Sequence, residues 1–315
     1  WTNYCVSESY EPGSTFKPVT VASALEEGVV KDGDTYVCKG FETVADYKLK
    51  CHVFSTIGSH GSLTVEQALM NSCNPYMIHL ALEMGNSRFA YYQSLFGFGK
   101  ITGIDLPGET TGIVYGDRMT TIDAACNSFG QTINVNMMQM MAAYCSIING
   151  GMLYQPHIVK RIESANGEVV KEYKANLVRQ TITASTSKLL RRYLKNTVEE
   201  GTAKKAGVTG YSVAGKTGTA QKGDRKDNKW IISFIGHAPA ENPKFAIYVV
   251  IDEPYGTTGT SGSSADVLTL THNILEKLLP YMNVYKDASD EYEDTSSSPD
   301  ELTVDGIPAG TASSN

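Results

Sequence analysis

The sequence predicts an α/β fold in which an antiparallel sheet is flanked by helices and carries an all-helical subdomain. Three observations predict it. Helical periodicity dominates the chain up to about residue 200, β-branched and aromatic runs cluster after it, and one more helical stretch follows them. Helices first, antiparallel strands next and a closing helix fit a sheet with a helical insert.

Each element has a local reason. The first helical segment, 14–27, follows the turn pair Pro12-Gly13 and closes on Gly28. The second, 64–71, carries Glu66 in its first turn, where the helix dipole favours a carboxylate. Segments 75–84, 136–148, 184–200 and 266–279 are helical by the same criterion. Cys38 and Cys51 bracket KGFETVADYKLK, which reads as a hairpin. Strands are expected at 211–222, 229–237 and 244–253. The turn-rich HAPAENP joins the last two as antiparallel neighbours. From 284 to 315 the runs SSSPDE and AGTASSN leave too few apolar residues to offset the entropy of ordering. The expected domains are therefore 1–283 and a disordered acidic tail, 284–315.

Composition bounds the function. The chain has 315 residues, 41% of them hydrophobic and 19% charged, which suits a globular protein with a sizeable core. No run of about 18 apolar residues is present to span a membrane. The formal net charge of -7 resides in the tail, since the body before Lys286 is neutral. A neutral body with an acidic tail excludes a nucleic-acid partner. No internal repeat suggests a solenoid. Trp1 stands where an initiator Met would, and the chain is read as a fragment.

Three motifs carry chemistry. In Ser14-Thr15-Phe16-Lys17 the hydroxyl and amine share one face of a helix start. The positive helix end favours a developing oxyanion, and a neutral lysine can take the hydroxyl proton. Alone the pattern is weak, because S-x-x-K should arise about once by chance in such a chain. Ser72-Cys73-Asn74, before Pro75, forms an inter-helix loop in which Ser72 can relay a proton and Asn74 can present its amide. In isolation it reads first as a polar helix-capping loop. Lys216-Thr217-Gly218-Thr219 supplies a cation and hydroxyls for a carboxylate, and Gly218 leaves room for substrate beside a strand. K-T-G is rarer, about a tenth of a chance match per chain. The order S-x-x-K, S-x-N, K-T-G, each in its required setting, is far more specific than any one motif.

With these motifs the sequence resembles the transpeptidase domain of class B penicillin-binding proteins, of the sporulation or division type in Gram-positive bacteria. The resemblance covers about 1–283 and includes VSESYEPGSTFKP, HGSLTVEQALMNSCNPYM, TGIDLPGE, EEGTAKKAG and GYSVAGKTGTAQK. It implies the penicillin-binding-protein and serine β-lactamase-like fold. It also implies Ser14 as acylated nucleophile, Lys17 as general base, Ser72 as proton shuttle, Asn74 as holder of the substrate amide and Lys216 as electrostatic support. Thr217, Gly218 and Thr219 would bind substrate, and the N–H groups of Ser14 and Thr219 would form the oxyanion hole. The implied substrate is a peptidoglycan stem peptide ending in D-Ala-D-Ala, with β-lactams acylating the same Ser14 and no cofactor required. The family further implies an N-terminal anchor at the extracytoplasmic membrane face and a membrane glycosyltransferase partner. Family members carry more transpeptidase sequence before the active serine than the thirteen residues here, so the sheet is expected to lack edge strands.

Related functions stay open. A serine β-lactamase shares the motifs but needs a base for its deacylating water, and none is assignable. A D,D-carboxypeptidase uses the same residues with water as acceptor, and a non-catalytic scaffold or β-lactam sensor could keep them. Among the six cysteines, Cys5, Cys126 and Cys145 show no partner pattern. For the others three readings compete: a Cys38–Cys51 disulfide, a structural zinc held by Cys38, Cys51, His60 and Cys73, or free thiols. His60 is preferred over His52 because it precedes a constrained helix start.

Overall fold

The computed structural model describes residues 2–223, 229–254 and 264–287. A short helix α1 (Tyr4–Ser7), capped by the Asn3 side chain, leads to Tyr10, which bridges Val135 in antiparallel fashion. A single 3₁₀ turn, Gly13–Phe16, then feeds α2 (Lys17–Glu27), and Gly28 ends it at φ +78°. Every residue of α2 from Lys17 to Ala24 is buried, so this helix is the axis of the helical layer.

Around α2 the chain builds small pieces with explicit caps. β1 (Thr35–Cys38) pairs with β4 (Gly61–Thr64), and between them lies the hairpin β2 (Phe41–Val44) and β3 (Tyr47–Lys50). Thr64 and Gln67 form a capping box that starts α3 (Val65–Met70). Pro75, in the first turn, starts α4 (Asn74–Met84), and α5 (Asn86–Leu95) follows directly. Two more capping boxes start α6 (Thr121–Asn127) and α7 (Met137–Ile148). β5 (Met152–Gln155) pairs with β8 (Asn176–Gln180), and the exposed ribbon of β6 (Arg161–Glu163) and β7 (Val169–Glu172) lies between them in sequence. α8 (Ala184–Glu199) returns the chain to the helical layer.

The expected late strands are β9 (Ala214–Lys222), β10 (Lys229–Ala238) and β11 (Phe245–Asp252), antiparallel in the order β11-β10-β9. The helix α9 (Ser264–Tyr281) closes the chain. β10 is apolar on both faces because two cores meet it. Ile235 joins the helical core, while Ile232 and Phe234 join a second core with α9. His237 ties strand to helix: its Nδ1 accepts from the Tyr144 hydroxyl at 2.8 Å, and its Nε2 reaches the Ala240 carbonyl at 3.1 Å. Burial pushes this imidazole down to about 4, so it stays neutral.

Among the described residues β11 pairs on one side alone, with β10, and is half-buried throughout. No helix among them is long and apolar enough to cross a membrane. Most of the expected tail lies outside the described residues. Within them Val284 is buried in the second core and the Asp287 N–H donates to the Gly210 carbonyl, so the packed body extends past 283.

Candidate active site

The three motifs, distant in sequence, converge on one cleft of about 360 Å3. Ser14 enters it from the 3₁₀ turn. Gly13, at φ +57°, is required there because a Cβ would lie 2.5 Å from the Thr219 carbonyl oxygen. The turn that carries Ser14 is thereby seated directly on β9.

Lys17, fully buried at the start of α2, aims its amine at the loop between α3 and α4. Its Nζ lies 2.6 Å from the Ser72 carbonyl oxygen, 2.9 Å from Ser72 Oγ and 2.7 Å from Asn74 Oδ1. The Asn74 amide is oriented by donation from Nδ2 to the Lys50 carbonyl at 3.3 Å. From the other side Lys216, also fully buried, donates to Ser72 Oγ at 3.1 Å and to the Thr217 carbonyl at 3.2 Å. Ser72 is held at φ +54°, a left-handed conformation that costs about 1–2 kcal/mol for a residue with a Cβ.

Two amines around one hydroxyl in a dry site cannot both keep a full charge. Burial pushes the Lys17 ammonium down to about 8, a fall that the neighbouring Cys73 and Cys51 oppose. Burial pushes Lys216 well below its ordinary value, and repulsion from Lys17 adds to this. Lys17 Nζ donates to all three of these oxygens, the Ser72 carbonyl, Ser72 Oγ and Asn74 Oδ1. The arrangement sets a lysine amine on each side of one hydroxyl, a geometry through which a proton can pass.

Thr217 and Thr219 face the cleft, and Thr217 Oγ1 lies 3.4 Å from Thr202 Oγ1. Gly218 departs from the expectation that it leaves room for substrate. Alternation along β9 turns it away from the cleft, and a Cβ there would lie 2.4 Å from Ser233 Oγ and 2.8 Å from Thr15 Cγ2. Its smallness admits the Pro12–Thr15 turn. The cleft also includes His52, Thr202 and Trp230, to which no motif pointed. His52 Nε2 reaches the Asn71 carbonyl at 2.9 Å.

Behind the Ser72 loop the structure brings Cys38, Cys51, His60 and Cys73 together, with all four donor atoms within 4.8 Å of one another. None of the six cysteines is bridged. A hydrogen bond from Cys73 holds the Cys51 thiol far below its ordinary value, and the same contact pushes Cys73 up.

A family model for the penicillin binding protein transpeptidase domain matches residues 1–276. Stage V sporulation protein D of Bacillus subtilis is 41% identical over 90% of this chain and 44% of its own length. Peptidoglycan D,D-transpeptidase FtsI of Escherichia coli K12 is 32% identical over 91% of this chain and 46% of its own length. The chain thus spans less than half the length of these two relatives. Penicillin binding protein 3 of Mycobacterium tuberculosis, in its apo form, superposes with a TM-score of 0.81 at 28% identity, covering 90% of this chain and 66% of that one. The D,D-transpeptidase domain from Eggerthella lenta gives 0.78 at 27% identity, covering 90% of this chain and 68% of that one. With the three motifs gathered on one cleft and a family model spanning nearly all of its described body, the chain belongs to the penicillin-binding protein transpeptidase domain family.

Proposed function

We propose that the chain is the acyl-transfer domain of a serine D,D-transpeptidase that crosslinks peptidoglycan stem peptides in division or sporulation and is acylated by β-lactams. The observation that carries the proposal is Ser72 Oγ held between Lys17 and Lys216 on the cleft that Ser14 enters. Lys17 as neutral base takes the Ser14 proton, and Ser14 Oγ attacks the carbonyl of the penultimate D-Ala. The oxyanion is held by the N–H groups of Ser14 and Thr219, each such donor being worth about 3–4 kcal/mol at acyl-transfer sites. Ser72 passes the proton to the departing D-Ala amine as the tetrahedral intermediate collapses to the acyl-enzyme. An amine of a second stem peptide then attacks the ester, giving up its proton through the same relay and restoring Ser14. Asn74 holds the substrate amide, while Thr217 and Thr219 hold its terminal carboxylate with Lys216 supplying the field. No cofactor takes part in these steps. An N-terminal anchor at the extracytoplasmic membrane face and a membrane glycosyltransferase partner complete the proposal.

Fluorescent penicillin with mass spectrometry of the adduct tests it. A stable adduct on Ser14, lost in Ser14→Ala, is expected. Rapid turnover of the adduct would point instead to a β-lactamase, and no adduct at all would overturn the enzyme reading.

A further inference from the structure

One face of α8 carries a stripe of cations. Lys188, Arg191, Arg192 and Lys195 stand at i, i+3, i+4 and i+7, so their side chains run along one side of the helix over about 10 Å. With Ala240 and Glu241 they line a groove of about 440 Å3. The stripe is only partly neutralised. Arg192 pairs with Asp32 and Glu66, and Lys195 pairs with Glu199 and Glu241. Among the described residues Lys188 meets no carboxylate. Arg191 donates to two neutral oxygens, the Ile148 carbonyl and Ser187 Oγ.

The described chain ends beside this groove. Val284 is anchored in the second core, Lys244 Nζ donates to the Asn283 carbonyl at 2.8 Å, and the Asp287 N–H donates to the Gly210 carbonyl at 2.8 Å. Two residues on from Gly210, Ser212 Oγ donates to Glu241 Oε2 at 3.1 Å, and Glu241 Oε1 accepts from Lys195 Nζ at 2.5 Å. The Glu241 hydrogen bond raises the Lys195 ammonium, and the charges of Glu241, Glu199 and Asp287 add to the rise. Asp287 is therefore already within electrostatic reach of the stripe. The sequence after it is complementary: Asp290, Glu291, Glu293 and Asp294 set four carboxylates in five positions around Tyr292. An extended chain covers about 3.3 Å per residue, so these acids can reach from about 10 to about 23 Å beyond Asp287, enough to span the stripe.

We propose that the groove on α8 is the docking site of this chain's own acidic segment, residues 290–294, with its carboxylates on Lys188, Arg191 and Lys195. Tyr292 sits at the centre of the segment, and a guanidinium such as that of Arg191 takes the flat face of a tyrosine as readily as a carboxylate. Charge rather than apolar burial holds the segment, so a composition too polar to build a core can still be bound. The contact is intramolecular, and the short link from Asp287 keeps the local concentration of carboxylates high. Docking also sets a direction. Asp287 lies at the Lys195 end of the stripe, so the chain beyond it runs back along α8 toward Lys188 instead of away from the body.

Two measurements on the whole chain test it, and neither depends on acylation. Carbodiimide joins an amine to a carboxylate in contact with it as an amide, with loss of water. At low ionic strength it should link Lys188 or Lys195 to residues 290–294 of the same chain, read by mass spectrometry of the digest with the Lys195–Glu241 link as internal reference. At about 1 M salt, where the screening length is about 3 Å, the tail links should fall at least about 3-fold against that reference. A protease that cuts after glutamate reads the same contact without modifying the groove. Lys188→Glu should speed cutting at Glu291 and Glu293 by about 2–10-fold, whereas Lys160→Glu, the same charge change just before β6, should leave it unchanged. Should Lys188→Glu fail to fold, the wild-type links and their loss in salt decide alone. Equal cutting of all three proteins, no tail link, or tail links spread over lysines away from α8 would overturn the groove. Links that join two chains, seen as a product of doubled mass, would overturn docking within one chain and give the groove to a second copy's tail.

Discussion

Ser72 Oγ has a lysine amine on each side and a strained backbone beneath it. The proposed relay is therefore sensitive to pH. Lys17 accepts a proton only in its neutral form, and burial brings its titration down to about 8. The rate of penicillin acylation should therefore rise with pH through about 8, the measured midpoint belonging to the Lys17–Lys216 pair rather than to either residue. A stopped-flow pH profile that is flat from 6 to 10 would remove Lys17 from the role of base. At this scale the motifs made Ser14, Lys17, Ser72, Asn74 and Lys216 legible, because each needs a definite chemistry at a definite spacing. His52 and Trp230 were not legible, since they reach the cleft only through tertiary packing of a turn and a strand.

At the scale of elements, β9 carries the cleft on one face and the Pro12–Thr15 turn on the other. Gly218→Ala should therefore destabilise the protein by about 1–3 kcal/mol through overpacking and slow acylation as the turn shifts. Thermal unfolding and penicillin labelling measure the two effects, and an unchanged protein would show that the Pro12–Thr15 turn has slack the structure does not suggest. Helices with clean periodicity or caps, such as α7 and α8, were readable from sequence, as were all three long strands. α5 was not, because it buries Gln93 along with Phe89, Ala90 and Tyr92 and so lacks a simple apolar stripe. α6 has seven residues, too few for a period to register. The strands β5 to β8 are short and largely exposed, which removes the alternation that marks a half-buried strand.

Over the whole molecule, the fold class was legible because β10 needs apolar residues on both faces and the helices before it supply one of its two cores. The meeting of the motifs was not, since spacing along the chain says nothing about distance across it. Residues 14 and 72 line one cleft, with Lys216 against Ser72, only when the turn, the inter-helix loop and the sheet have all docked. A covalent penicillin is thus a clock for folding as well as a probe of chemistry. In a refolding chain given short pulses of labelled penicillin, adduct should appear with the slowest phase of recovered near-ultraviolet dichroism and not before it. Earlier labelling would mean that the cleft is assembled while part of the body is still loose.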